Sequence, residues 1–436
     1  MKNKTQDNIL LLFSLGIIVS YFLSLYFDEN SIGSGGYNGD LTWIWRNFEI
    51  FKTNNLVDAL VHDNFVGNRP PLLYILNLYL NPFLDNIDSY RKSVFLFFLI
   101  TPIILFFTLK KKFTYQNNYF LILISLFIFL SPFFRSSAVW GQEINYGILS
   151  LIITFFYFYK FNHSKSFFDL ILVIFFSSLC VYFDQKLLIV PLFCFINILL
   201  NKEIAVTKKF LSTAIYFILS LPFIFLIFIW GGIVPALTQE SNYQSFNSIQ
   251  NFNLHFYHIG FASTLIALYL IPLIILKEQI NFSKIKKFLK LNFLVLFLPI
   301  ILYLGIYIFF DWYELLQSKQ YTTSDGATYG LGFVNKLGMM LFNDLIIRKL
   351  FTFLAFSISW IIIIYGLKIK ATSWFIVIYF YFLSLILLPI MQEYFDPYIF
   401  LLSLLMNKDK FNFSFVRTII CSLFFICALS FAIIYY

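Results

Sequence analysis

Charge is scarce in this sequence. Asp, Glu, Lys and Arg make up 12% of its 436 residues, about half the share of an ordinary soluble domain. Cysteine is scarcer still. Cys180, Cys194, Cys421 and Cys427 all stand in apolar runs, and no C-x-x-C occurs. A disulfide framework is therefore excluded, and the four read as small buried hydrophobes. The net charge of +9 would suggest nucleic acid only if the cations shared one soluble face. They fall instead in short patches between apolar runs, which excludes a nucleic-acid partner. No internal repeat, low-complexity linker or soluble domain is visible, so residues 1–436 read as a single transmembrane domain.

Apolar surface is what the chain has in excess. Hydrophobic residues make up 60% of it, and Phe alone occurs 60 times. A water-soluble fold of this length cannot bury so much, so the bilayer is the solvent and membrane lipids are partners. The sequence predicts an all-α polytopic bundle with spans near 9–27, 94–109, 119–134, 145–159, 167–183, 187–200, 211–230, 258–276, 291–310, 350–367, 373–390, 393–406 and 416–434. The runs at 187–200 and 393–406 are short enough to be re-entrant, which gives 11 to 13 spans. Tyr26-Phe27-Asp28-Glu29 after the first run offers no small-residue cleavage site, so that run reads as an uncleaved span.

Lys and Arg set the orientation. With the N-terminus in the cytoplasm, that terminus and the alternate short loops together carry 20 of the 31 basic residues, while residues 231–257 carry none. The long loops are then outside. On this topology 17 of the 22 acidic residues also lie outside, an asymmetry the positive-inside rule does not require. The outer face is where polar chemistry is expected.

Residues 28–93 form the largest polar stretch. Asp28 and Glu29 leave the first span, and a glycine-rich run from Gly33 to Gly39 leads to Asp40. Behind it, Leu41, Ile44, Trp45, Phe48 and Phe51 fall on one helical stripe that Arg46, Asn47, Glu49 and Lys52 avoid. That pattern predicts an interfacial amphipathic helix. Asp40 stands where an N-cap belongs, and a carboxylate there is also placed to take a proton from a hydroxyl. Further on, Arg69-Pro70-Pro71-Leu72-Leu73-Tyr74 sets a turn that starts a helix. Arg69 can snorkel to headgroups or grip a phosphate in bidentate fashion.

An acidic residue before an amphipathic helix after the first span, then a basic-Pro-Pro-Leu-x-Tyr turn about thirty residues later, resembles the GT-C superfamily. These are polytopic glycosyltransferases that use polyprenyl-phosphate sugars, among them the aminoarabinose transferases of lipid A and the protein O-mannosyltransferases. The resemblance implies that the early acidic residue is the catalytic base or its neighbour. Asp40 matches by its distance to Arg69 and by the helix behind it. Asp28-Glu29 matches the family's frequent Asp-Glu pair. A glycine-rich insert separates the two, so both remain candidates.

Other outer-face groups join this set. Arg135 ends the third span, and Trp140-Gly141-Gln142-Glu143 starts the fourth. They are interfacial anchors or, as the resemblance implies, contacts to phosphate and sugar. Gln392-Glu393-Tyr394-Phe395-Asp396-Pro397 resembles a polar-aromatic-Pro segment late in many GT-C chains, and acids entering a span are costly unless they face a cavity. Asp184 and Lys186 read as a solvated charge pair in a tight turn. His255 and His258 lack a third ligand for a metal. Gly231 to Val234 resembles the dolichol-pathway glucosyltransferases, and 311–349 reads as a second large outer loop.

The resemblance thus implies transfer of a sugar from a polyprenyl-phosphate donor to a lipid, glycan or protein acceptor, at the periplasmic or outer face of a bacterial inner membrane. Asp40 would be the base, with Asp28 and Glu29 its alternates or the oxygen ligands of a divalent cation. Arg69 and Arg135 would hold the donor phosphate. Tyr74, Gln142, Glu143, Gln392 and Glu393 would contact substrate. A transporter or flippase of lipid-linked sugars would need charge in mid-span, and the runs are almost free of it, Asp169 coming closest. A surface-polysaccharide polymerase would place its large loop late in the chain.

Overall fold

The computed structural model describes all residues except 1, 31–35, 68, 233, 236–253, 278–281, 310–331, 368–370, 388–389, 408–410, 412 and 436. The described residues contain helix and no strand. Every predicted span holds a helix among the described residues. The order is α1 (Lys2–Tyr26), α2 (Thr42–Thr53), α3 (Leu56–Leu60), α4 (Leu72–Leu80), α5 (Ile87–Phe97), α6 (Ile100–Lys112), α7 (Asn118–Leu126), α8 (Pro132–Val139), α9 (Ile144–Ser164) and α10 (Phe167–Phe183). It continues with α11 (Ile189–Leu200), α12 (Val206–Trp230), α13 (His258–Lys277), α14 (Phe282–Leu291), α15 (Phe293–Phe309), α16 (Gly332–Leu341), α17 (Leu345–Leu367), α18 (Ala371–Ile386), α19 (Tyr398–Met406) and α20 (Phe415–Tyr435).

Among the described residues, seven helices are long and apolar enough to cross a bilayer, the α5–α6 rod counting as one. The α7–α8 pair makes an eighth if it is one broken span. The chain is a multi-pass membrane protein. The run at 393–406 yields only the nine residues of α19, roughly 14 Å of helix against about 30 Å of hydrocarbon. It cannot cross alone. The second outer loop lies largely outside the described residues, as does most of 231–257; within 311–349, α16 forms and α17 begins.

Local chemistry sets the helix starts. Asn55, Asn86 and Ser131 accept from the backbone N–H of Asp58, Ser89 and Phe134 at 2.9–3.0 Å, as N-caps do. Pro70-Pro71 precedes α4 as the sequence predicts, and the Pro71 carbonyl accepts from Tyr74 N and Ile75 N. At Ser131-Pro132 the third run breaks by 66°. Pro132 has no N–H to continue the ladder, and the Ser131 cap opens a new helix.

The chain divides into two compact units. One comprises residues 1–241 with 422–436, the other residues 242–421. In the first, Tyr21 of α1 is fully buried, stacked between Phe95 at 4.4 Å and Phe129 at 4.0 Å. Its hydroxyl donates to the Phe95 carbonyl at 3.2 Å. In the second, α13 is the buried central helix, flanked by α16, α17, α18 and α19.

Two sequence expectations need correction here. Cys180, Cys194 and Cys421 are buried, but Cys427 is exposed on α20. Asp184 and Lys186 do form a turn, with nitrogen and oxygen 3.5 Å apart, but it is not solvated: their side chains are 1% and 11% exposed. The Asp184 carboxylate accepts from Lys186 N at 3.0 Å, so it caps the turn.

Replacing Tyr21 by Ala should cost about 3–5 kcal/mol, the usual loss for a large buried ring, while Tyr21→Phe should cost about 1 kcal/mol for one hydrogen bond. Thermal unfolding of the detergent-solubilised protein reads both.

Candidate active site

The polar groups of the first unit converge on one short connection, Trp140 to Glu143, between α8 and α9. Each of its four residues ties to a different part of the 28–93 loop. Trp140 Nε1 donates to the Glu29 carbonyl at 3.0 Å. The Gly141 carbonyl accepts from Tyr90 Oη at 2.6 Å. Gln142 Nε2 donates to Asp40 Oδ2 at 2.7 Å. Glu143 Oε1 pairs with Arg69 Nη1 at 2.6 Å. Gly141 is required at its place. Its φ is +68°, and a Cβ there would lie 2.7 Å from the Tyr90 ring.

Asp40 is not an N-cap. Leu41 N bonds Gly36 O, so the chain is already helical from Tyr37 to Leu41 as a wide five-residue turn, and α2 follows without a side-chain cap. The carboxylate is thereby released from capping and meets Gln142. Ser137 Oγ donates to Gln142 Oε1 at 2.9 Å, which fixes the amide with its NH2 toward Asp40.

Behind this station lies a buried ion pair. Arg135 on α8 grips Glu29 from Nε at 2.9 and 3.1 Å and from Nη2 at 2.5 Å. Its remaining donors reach the Ser20 hydroxyl and carbonyl and the Phe129 carbonyl at 2.8–3.2 Å. The two side chains are 3% and 8% exposed. Glu29's neighbour Asp28 turns to Arg91, whose guanidinium lies 4.4 Å over the Trp140 ring and whose Nε donates to the Val139 carbonyl at 2.8 Å. Asp28 has φ +50°, a left-handed conformation that Asp tolerates. It points the two successive acids at two different arginines.

A cavity of about 920 Å³ opens beside the pair. Leu12, Phe13, Ile17, Leu429 and Ile433 give it apolar walls from α1 and α20, and Asp28, Glu29, Asn30 and Arg135 stand at its polar end.

Tyr74 is buried in an aromatic cluster. It stacks on Phe51 at 5.3 Å, and its Oη accepts from Asn47 Nδ2 at 2.8 Å. Burial first, then the charge of Glu143, holds its phenol above the ordinary value, so it stays protonated. Asn47, read from the sequence as solvent-facing, is buried at 3%. Its amide also donates to the Val66 carbonyl at 2.6 Å, and this satisfaction is what lets it turn inward.

Gln392 and Glu393 belong to the second unit. There Gln392 Nε2 donates to Tyr269 Oη at 3.0 Å, Asp396 is buried at 2%, and Glu393 is half-buried. His258 Nδ1 lies 2.7 Å from the Ser384 carbonyl. Among the described residues, no group of three or more His, Cys, Asp or Glu is arranged to hold a metal ion. Sequence reasoning missed Arg91 and Ser137. The signal for Arg91 was an Arg at the head of an apolar run, where a charge needs a partner; Ser137 carried none.

Replacing Arg135 by Gln leaves Glu29 buried without its counter-ion and should cost about 3–5 kcal/mol. Adding Glu29→Gln should recover part of that loss. Thermal unfolding of single and double variants measures the coupling, and equal stabilities would mean the pair is not an anchor.

Comparison of the chain with protein-family models, curated proteins and solved structures gives no match.

Proposed function

We propose that this protein is a membrane glycosyltransferase that moves a sugar from a polyprenyl-phosphate donor to an acceptor hydroxyl at the extracytoplasmic face. The supporting observation is the apolar groove between α1 and α20 with carboxylates and a guanidinium at one end. A long isoprenoid chain fits walls of Leu, Ile and Phe, and its sugar-phosphate head would then sit beside the Trp140–Glu143 connection. Charge stands at one end of the groove rather than along it, which favours transfer over transport.

In this reading the acceptor oxygen attacks the anomeric carbon. Asp40 takes its proton, the bond from that carbon to the phosphate oxygen breaks, and polyprenyl phosphate leaves with the electron pair. One base and one departing phosphate fit a direct displacement with inversion. Gln142, fixed by Ser137, is a positioning residue for Asp40. The two arginines have different roles. Arg135 commits its donors to Glu29, Ser20 and Phe129, so it positions Glu29. Arg69, at 17% side-chain exposure against 3% for Arg135, is the more reachable guanidinium for the donor phosphate. Asp28 and Glu29 would orient the acceptor or, if the reaction uses a divalent cation, supply oxygen ligands by exchanging with their arginines. The sugar's acceptor would be a lipid, a cell-envelope glycan or a protein.

Membranes holding the Asp40→Asn protein, given radiolabelled polyprenyl-phosphate sugar, should transfer about 100-fold to 10,000-fold less label than wild type, with donor binding retained. Full transfer by that variant, with loss in Glu29→Gln or Asp28→Asn, would move the base to that residue. Full transfer by all three would sink the assignment.

A further inference from the structure

Several loop lysines of the first unit are engaged. Lys160 Nζ lies 2.8 Å from Asp169, and Lys165 Nζ 2.5 Å from Glu203. Lys209 donates to the Leu199 carbonyl at 2.6 Å. Lys111 and Lys112 lie over the rings of Phe156 and Tyr159 at 4.9 and 5.8 Å.

Helix α14 in the second unit is different. Its sequence, FSKIKKFLKL, holds four lysines and no acid. Lys286, Lys287 and Lys290 are exposed, and among the described residues none of the three makes an ion pair or hydrogen bond. At about 100° per residue these three fall within roughly a quarter-turn of each other. Phe288 and Leu289 lie on the opposite arc and are half-buried, and the Phe288 ring meets Tyr365 edge-on at 5.3 Å. One side of the helix is therefore fastened to α17 while the cationic side faces outward.

Its depth is also set. Asn292 alone separates α14 from the 17 apolar residues of α15. Lys290, Lys287 and Lys286 precede Phe293 by only three, six and seven residues, so whether α14 continues the span or lies along the membrane surface, their side chains reach headgroup level. Leu291, Phe293 and Leu294 beside them are exposed at 72%, 56% and 76%, as expected of residues that face acyl chains.

We propose that the lysine face of α14 docks anionic phospholipid headgroups of the leaflet that borders it. The occupant is a lipid rather than an acidic peptide because the exposed apolar residues continue from the lysines into the span. A phospholipid presents phosphate and acyl chain in that order. This inference needs only the membrane fold and is independent of the glycosyl-transfer reading.

The full-length protein, purified in detergent, is titrated with phosphatidylglycerol or phosphatidylcholine, and retained lipid is counted by native mass spectrometry. Wild type should retain phosphatidylglycerol preferentially. Each lysine near an anionic headgroup is worth about fivefold at low salt, so the K286Q/K287Q/K290Q variant should lose roughly a hundredfold of that preference. The triple Lys→Arg variant should keep it. If the Gln variant does not fold, raising salt to about 0.5 M on wild type replaces it. The Debye length then drops to about 4 Å, and the preference should collapse. Equal retention of both lipids by wild type, a preference unchanged by the substitutions, or one unmoved by salt would overturn the proposal. So would displacement by millimolar inorganic phosphate as effective as by phosphatidylglycerol, which would mark a simple anion site.

Discussion

A guanidinium buried among apolar helices is the constraint on which the first unit depends. Arg135 cannot be neutralised by losing its proton, so every donor it carries needs an acceptor. The fold supplies them from three directions: the last turns of α1, the turn ahead of Ser131, and the carboxylate of Glu29. Satisfying this one side chain fixes where α1 ends relative to α8. It also fixes where the next four residues emerge, and those residues are the ones that hold the rest of the 28–93 loop.

The connection from Trp140 to Glu143 works as a clamp because its contacts are chemically varied. An indole N–H, a backbone carbonyl, an amide and a carboxylate each select a different partner from residues up to 111 positions away. Such a set has few alternative pairings of comparable energy, so the loop is held in one arrangement rather than several. The aromatic cluster of Phe48, Phe51, Phe65 and Tyr74 then fills the space beneath it.

Hydrophobic length made the helices legible, since a run of apolar residues has no other stable state in a bilayer. Pro70-Pro71 was legible as punctuation for the same local reason, whereas Ser131-Pro132 was not, because the third run was read unbroken through residue 134 and the structure bends it by 66° there. The acids of the site, Arg69 and Arg135 were legible by type, because a charge beside an apolar run is unusual, whereas Arg91 and Ser137 were not picked out. The pairing of these residues was not legible. Nothing in a linear chain says that Arg135 belongs to Glu29, 106 residues earlier, or that Asp28 turns to Arg91 while its neighbour does not. Asn47 shows the limit in the other direction. A polar side chain on a helix face reads as solvated until the tertiary partner that satisfies it is in place. The charges of Asp184 and Lys186 were misread for that reason as well.

The groove walls come from α1 and α20, helices separated by nearly the whole sequence. During synthesis, at about 5–20 residues per second, the first wall waits on the order of tens of seconds for the second. Through that interval Leu12, Phe13 and Ile17 lack the α20 wall and stand open to the surrounding acyl chains. The cavity therefore comes into being already solvated by acyl chains. On the glycosyl-transfer reading, the donor's isoprenoid would then enter by replacing one lipid with another rather than by displacing water, and its binding would be a competition among lipids from the start.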